Sequence, residues 1–223
     1  MTIDYFFAGN ESLRRFRTHF AVRARQRMQE RFYEFAKPGP ESKVLDLGVT
    51  PDVSLPESNY FLQAYPYPER VTATSIENLD EVKKRFPKTR FLTFPPGRLP
   101  FADREFDFLF CSAVLEHVGS EERQREFVAE CFRVSRKVFL TTPNRYFPIE
   151  IHTFIPFLHW LPKEVHRRCL RLFGMTMWAR EDHLNLLSFS DLKVLVPENC
   201  RAEITAVNTA GFPSNLILFG YSS

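Results

Sequence analysis

The run Lys43-Val44-Leu45-Asp46-Leu47-Gly48 constrains this chain most: a short apolar strand that ends in a carboxylate and then a glycine. Asp46 there can accept hydrogen bonds from a ligand ammonium or from neighbouring backbone N–H groups, or it can simply cap the turn that follows. Gly48 lets the backbone approach a ligand with no Cβ in the way. The next residues are Val49-Thr50-Pro51-Asp52, and Pro51 removes a backbone donor from the turn.

Hydrophobic periodicity sets the frame around this strand. Asn10 to Ala36 has no interior Gly or Pro and reads as a long N-terminal helix, stopped by Lys37-Pro38-Gly39-Pro40. Strands are expected at Val44–Leu47, Arg70–Ile76, Arg90–Phe94, Phe106–Ser112 and Arg136–Thr141, with helices at Asn78–Phe86 and Ser120–Val134. Alternating strands and helices predict an α/β fold, a parallel sheet wound on both faces with ligands outside the C-terminal strand ends. Asp46, Glu77, Ser112 and Asn144 fall on that rim. An aromatic, proline-punctuated insertion runs from Tyr146 to Trp178. A helix at Ser188–Val196 and an antiparallel hairpin at Ala202–Asn208 with Ser214–Gly220 close the pattern.

Composition narrows the class. With 223 residues, 44% of them hydrophobic, the expectation is one domain over 1–223, with a helical extension at 1–40 and an insertion or lid at 145–187. A net charge of +3 implies no general affinity for nucleic acid, and no RNA-binding module is apparent. Cys111, Cys131, Cys169 and Cys200 stand far apart, which predicts free thiols in a cytoplasmic protein. Neither they nor the scattered histidines imply a metal. No signal sequence or membrane span is read.

One resemblance is specific. Leu99-Pro100-Phe101-Ala102-Asp103-Arg104-Glu105-Phe106-Asp107, followed by Ser112-Ala113-Val114-Leu115-Glu116-His117-Val118, is similar to the motif run of class I S-adenosylmethionine (SAM)-dependent methyltransferases of the small-molecule, type 11 group. The likeness covers about Lys43 to Asn144. It implies a Rossmann-like, seven-stranded sheet with the final strand antiparallel, and SAM as cofactor. In that family the position of Asp46 lies beside the methionine part of SAM, so Asp46, Gly48, Val49 and Thr50 become cofactor candidates. The resemblance also implies a glycine-rich turn, with glycine where Thr50 and Asp52 stand, and the Thr50 hydroxyl and Asn59 amide are expected to replace the backbone donors lost with it.

The family places an acidic residue after the second strand to hold the ribose hydroxyls. Direct alignment puts Ser75 there, and Glu77, on the same face of a slightly longer strand, is the favoured ligand. The adenine-side acid is replaced by Pro95, which leaves Gly97 and Arg98. Ser112 and Ala113 align with the methionine and methyl side. His117 is the candidate general base, with His152 second, because an imidazole of ordinary pKa is readily made a base near neutrality. Structural hydrogen bonding is the alternative role for both.

The reading is methyl transfer from SAM to a small or lipid-linked acceptor, with oxygen preferred over nitrogen or carbon. Aromatics in the insertion interleave with Lys163, Arg167, Arg168 and Arg171, and the N-terminal helix carries Arg14, Arg15, Arg17, Arg23, Arg25, Arg27 and Arg31. These patches suit peripheral contact with anionic lipid, or else a lid with a solvated face or a dimer contact. Thr50, Pro51, Ser75 and Pro95 support a competing reading, a methyltransferase-fold pseudoenzyme that serves as a scaffold. A dehydrogenase is disfavoured because the first turn lacks GxGxxG. Oligomeric state is not legible.

Overall fold

The computed structural model describes residues 11–222, with side chains from residue 18 onward. The side chains of Leu13, Phe16, Arg14, Arg15 and Arg17, and residue Asn10, lie outside the described residues.

Seven strands form one sheet in the order β3-β2-β1-β4-β5-β7-β6. They are β1 (Val44–Leu47), β2 (Val71–Ser75), β3 (Arg90–Thr93), β4 (Phe106–Ser112), β5 (Ser135–Pro143), β6 (Arg201–Thr209) and β7 (Phe212–Tyr221). The first five run parallel, and β7 lies antiparallel between β5 and β6. Asp46 sits at the sheet centre, in register with Ala73 of β2 and Phe110 of β4.

Side-chain alternation sorts the strands between two cores. Leu45 and Leu47 join Leu109, Val128, Phe132 and Leu140 on the face covered by α4 (Glu121–Val134), whereas Val44 joins Phe108, Phe110 and Phe139 on the other. That second face is covered by α1 (Glu11–Ala36), with α2 (Tyr60–Ala64) and α3 (Asp80–Arg85) beside it. Helix α1 docks through Met28, Phe32 and Ala36, spaced at helical intervals on one buried face. The Phe32 ring is edge-on to Phe61, Phe110 and Phe139, with centroids 5.3, 5.5 and 5.5 Å away. Such contacts add to the area each ring buries.

The segment Leu99–Asp107 has a visible structural role. Arg133 of α4 donates to the carbonyls of Leu99 and Phe101 (3.0 and 2.8 Å) and pairs with Asp103, while Glu130 accepts from the Leu99 N–H. Asp107 accepts from the Lys43 N–H at 2.9 Å, which ties the start of β4 to the start of β1. The insertion, expected to be aromatic and helical, contains the helix α5 (Lys163–Leu172); α6 (Phe189–Val194) follows, started by a Ser188/Asp191 capping box.

Candidate active site

A cavity of about 170 Å³ opens at the C-terminal ends of β1 and β4, between α1 and the loop that follows β1. Its walls include Asp46, Gly48, Val49, Thr50, Ser112 and Ala113, so six of the residues singled out in the sequence meet in one place. Ser75, Glu77 and Arg98 are not among its walls. Strand β2 stops at Ser75, whose buried hydroxyl accepts from the Glu77 N–H at 3.1 Å; Ile76 and Glu77 are exposed beyond the strand. The expected strand extension to Glu77 is therefore corrected: Ser75 turns the chain instead. Arg98 is exposed in the loop after β3.

The altered turn is closed upon itself. Gly48 and Val49 N–H both donate to the Thr74 carbonyl (2.9 and 2.8 Å), and Thr50 N–H donates to Asn59 Oδ1 at 3.1 Å. Asn59, in the left-handed region with φ 52°, returns its amide to the carbonyls of Thr50 and Asp52. The Thr50 hydroxyl accepts from the Asp52 N–H. Thr50 and Asn59 thus staple the loop while both line the cavity. Asn59 leads directly into α2.

With those backbone donors committed, side chains supply the polar groups of the cavity, and α1 contributes two of them. Arg25 donates to the Ser112 hydroxyl, which also shares a hydrogen bond with Thr141 (2.8 Å). Gln29 Oε1 is buried with no hydrogen-bond partner among the described residues. Opposite them, Asp46 is buried, and burial pushes its pKa up to about 7 against the opposing pull of the Arg25 charge. Burial also lowers the pKa of Arg25, opposed by Glu116, Glu57 and Asp46. A cation and an anion therefore face one small cavity.

Sequence reasoning did not single out Arg25 or Gln29. The signal was present: they lie three or four residues before Met28 and Phe32 or adjacent to them, on the helix face that docks against the sheet. Arg23, Arg27 and Arg31 are exposed, so Arg25 alone of these four turns inward.

Just beyond Ser112 the chain makes a tight turn, with Ala113 at φ 57°, and enters the short helical turn Leu115–His117. The two histidines read as scattered in the sequence meet there: the His117 and His152 rings are edge-to-face with centroids 5.0 Å apart, and Trp178 lies 4.9 Å from His152. His117 Nδ1 lies 2.6 Å from the His183 carbonyl, which can only accept, so Nδ1 carries the proton and Nε2 is free in the neutral ring. His152 Nδ1 lies 2.6 Å from Glu150 Oε1. Burial by itself would raise the Glu150 pKa, but His152 and the N–H groups of His152 and Thr153 hold it down at about 2. The same pairing raises the pKa of His152 against the opposing effect of burial.

Comparison with known proteins bears on the fold. The family model described as "Methyltransferase domain" matches residues 52–138. Ubiquinone biosynthesis O-methyltransferases of Coxiella burnetii strains are 29% identical over 94 residues, 40% of this chain and 40% of each relative. The match thus spans less than half the length of those relatives. Among solved structures, a SAM-dependent methyltransferase from Methanosarcina mazei aligns with a TM-score of 0.56 at 16% identity, covering 86% of this chain and 96% of that one. The N-methyltransferase NodS from Bradyrhizobium japonicum, in complex with S-adenosyl-L-homocysteine, aligns with a TM-score of 0.53 at 11% identity, covering 89% and 86%. At these identities the structural likeness is one of fold. Taken with the sheet order and the run from Leu99 to His117, these matches make the chain similar to the class I methyltransferases of the type 11 group, over a family match that covers less than half of its length.

Proposed function

We propose that this chain is a SAM-dependent methyltransferase acting on a hydroxyl of a small or lipid-linked acceptor. The observation that carries the reading is the buried pair of opposite charges, Arg25 and Asp46, in the cavity at the C-terminal ends of β1 and β4. The amino-acid end of SAM is a zwitterion, and the residues present fit it: Asp46 and the unpartnered Gln29 Oε1 accept from its ammonium, and Arg25 holds its carboxylate. Gly48, Val49 and Ala113 line the path towards the transferable methyl, and Glu77, exposed on the same rim, is assigned to the ribose.

Bound there, SAM supplies an electrophilic sulfonium methyl to an in-line displacement. The chain has mainly to position the two partners and exclude water. His117 is suited to take the hydroxyl proton, because its Nε2 lone pair remains available while Nδ1 is held by the His183 carbonyl. Low-identity similarity to ubiquinone biosynthesis O-methyltransferases supports oxygen over nitrogen as the acceptor atom.

The lipid-linked option draws on the insertion. Phe157, Trp160, Leu161, Leu172 and Phe173 are exposed around α5, beside the exposed Arg168 and Arg171. Apolar and cationic groups so placed suit the surface of an anionic bilayer, where an amphiphilic acceptor would reside. No described helix is long and apolar enough to cross a membrane.

Methyl transfer from labelled SAM to hydroxylated aromatics, with and without an isoprenoid tail, tests the proposal. Transfer that falls about tenfold to a hundredfold in His117→Asn, with SAM affinity retained, supports it. SAM binding without transfer to any acceptor would overturn the hydroxyl assignment. Absence of SAM binding would instead favour a scaffold in which Arg25 fills the cavity.

A further inference from the structure

We propose that Glu116, His117 and His152 form a binding site for a divalent first-row metal, best matched by Zn2+, beside the cavity. A carboxylate oxygen of Glu116 and one ring nitrogen of each histidine all lie within 4.8 Å of one another. Glu116 is fully buried, and only one of its oxygens is satisfied: Oε2 accepts from the Thr142 hydroxyl at 3.0 Å, whereas Oε1 has no hydrogen-bond partner among the described residues. An unpaired buried carboxylate oxygen is costly, so its persistence calls for a cation. That oxygen lies 3.9 Å from His117 Nε2.

Both histidines are backed in the way metal-binding histidines are. His117 Nδ1 donates to the His183 carbonyl and His152 Nδ1 is engaged by the buried Glu150, which leaves Nε2 of each ring as the ligand atom. Such outer partners fix ring orientation and tautomer and raise ligand basicity. The backing is rigid, because Glu150 is gripped by the N–H groups of His152 and Thr153 and the Glu116 carbonyl accepts from Asn185 N–H at 2.7 Å.

Two imidazoles and one carboxylate, with a position left open, are a donor set Zn2+ takes in open sites, whereas Mg2+ and Ca2+ prefer all-oxygen sets. To reach bonds of about 2.0–2.1 Å, ligand atoms must draw together to about 3.3 Å. His117 can supply the movement: its side chain is 36% exposed and sits on a single helical turn. That exposure leaves the fourth position open to water or to an oxygen of the acceptor. Thr142 follows Thr141, which hydrogen-bonds Ser112, so the site adjoins the cavity on its Ser112 side.

Zn2+ on His117 Nε2 would occupy the lone pair that proton abstraction needs, so a metal-loaded chain would not use His117 as base; Zn2+ binding itself is measured without SAM. The test is calorimetric titration of EDTA-stripped protein with Zn2+, and with Co2+ followed by its visible absorption, on wild type, Glu116→Gln, His117→Gln, His152→Gln and the control His19→Gln. We expect one Zn2+ per chain, loss of affinity by a hundredfold or more in each of the three ligand variants, no loss in His19→Gln, and Co2+ bands of low-symmetry coordination. Since His117 is partly exposed, His117→Gln keeps the test decisive if the buried variants do not fold. No stoichiometric binding, or binding unchanged in His117→Gln, would overturn the proposal, the latter marking adventitious surface binding.

Discussion

Gly48 and Val114 occupy each other's space: a Cβ on residue 48 would lie 2.2 Å from Val114 Cγ2. Gly48 also has φ +93°, a conformation costly for any side chain. Gly48→Ala is therefore expected to lose about 2–5 kcal/mol from strain and overpacking together, read as a lowered denaturation midpoint. Stability equal to wild type would show that Val114 can move aside and that this contact does not fix the turn.

Phe32 sets the position of Arg25. The two residues are seven apart, two turns along the same face of α1, and Phe32 is held by the rings of Phe61, Phe110 and Phe139. Phe32→Ala is expected to cost about 3–5 kcal/mol of stability. In the protein that still folds, affinity for S-adenosyl-L-homocysteine (SAH) should also fall, although residue 32 does not line the cavity. Full SAH affinity in a destabilised Phe32→Ala would separate helix docking from the site.

Asp46 gives the site a pH dependence of defined sign. Its pKa in the folded protein, raised to about 7 by burial, lies above the ordinary 3.8, so the folded state binds more protons than the unfolded state between these values. Stability contributed by Asp46 is present below pH 3.8 and is lost as pH rises towards 7. Ligand binding runs the other way, because an ammonium needs the carboxylate ionised. SAH affinity should rise up to about tenfold per unit as pH approaches 7 and then level off, with proton release seen by calorimetry in buffers of different ionisation enthalpy. Affinity that falls between pH 5.5 and about 7 would contradict the assignment.

The exposed face around α5 predicts adsorption to anionic vesicles. Leu172→Asp with Phe173→Asp should abolish sedimentation with phosphatidylserine-containing liposomes at low salt while leaving SAH affinity unchanged, because neither side chain approaches the cavity. Equal sedimentation of wild type and double variant would remove the membrane contact from the account.

Much of the sheet was legible because strands buried on both faces announce themselves by apolar runs and because helices α1 and α4 are long. Val44–Leu47 and Phe106–Ser112 appear at the expected bounds. The site was legible where strand ends carry it, at Asp46, Gly48, Ser112 and Ala113. It was not legible where distant segments meet. Arg25 looks like one arginine among many until α1 is docked. Asn59 looks like a spare amide until the loop closes on it. His117 and His152 stand far apart in sequence, and no local spacing reveals that the insertion folds back to place one ring edge against the other.

The most direct test of the central claim is calorimetric titration with SAM and SAH at pH 8 of wild type, Asp46→Asn and Arg25→Met. Each substitution is expected to weaken binding about tenfold to a hundredfold, the loss that follows from removing one charge-assisted contact. Asp46→Asn should do so with unchanged or raised stability, since it removes an expensive buried charge. Equal affinity in wild type and both variants, or stronger binding in Arg25→Met, would contradict the account by showing that the paired charges do not hold the cofactor.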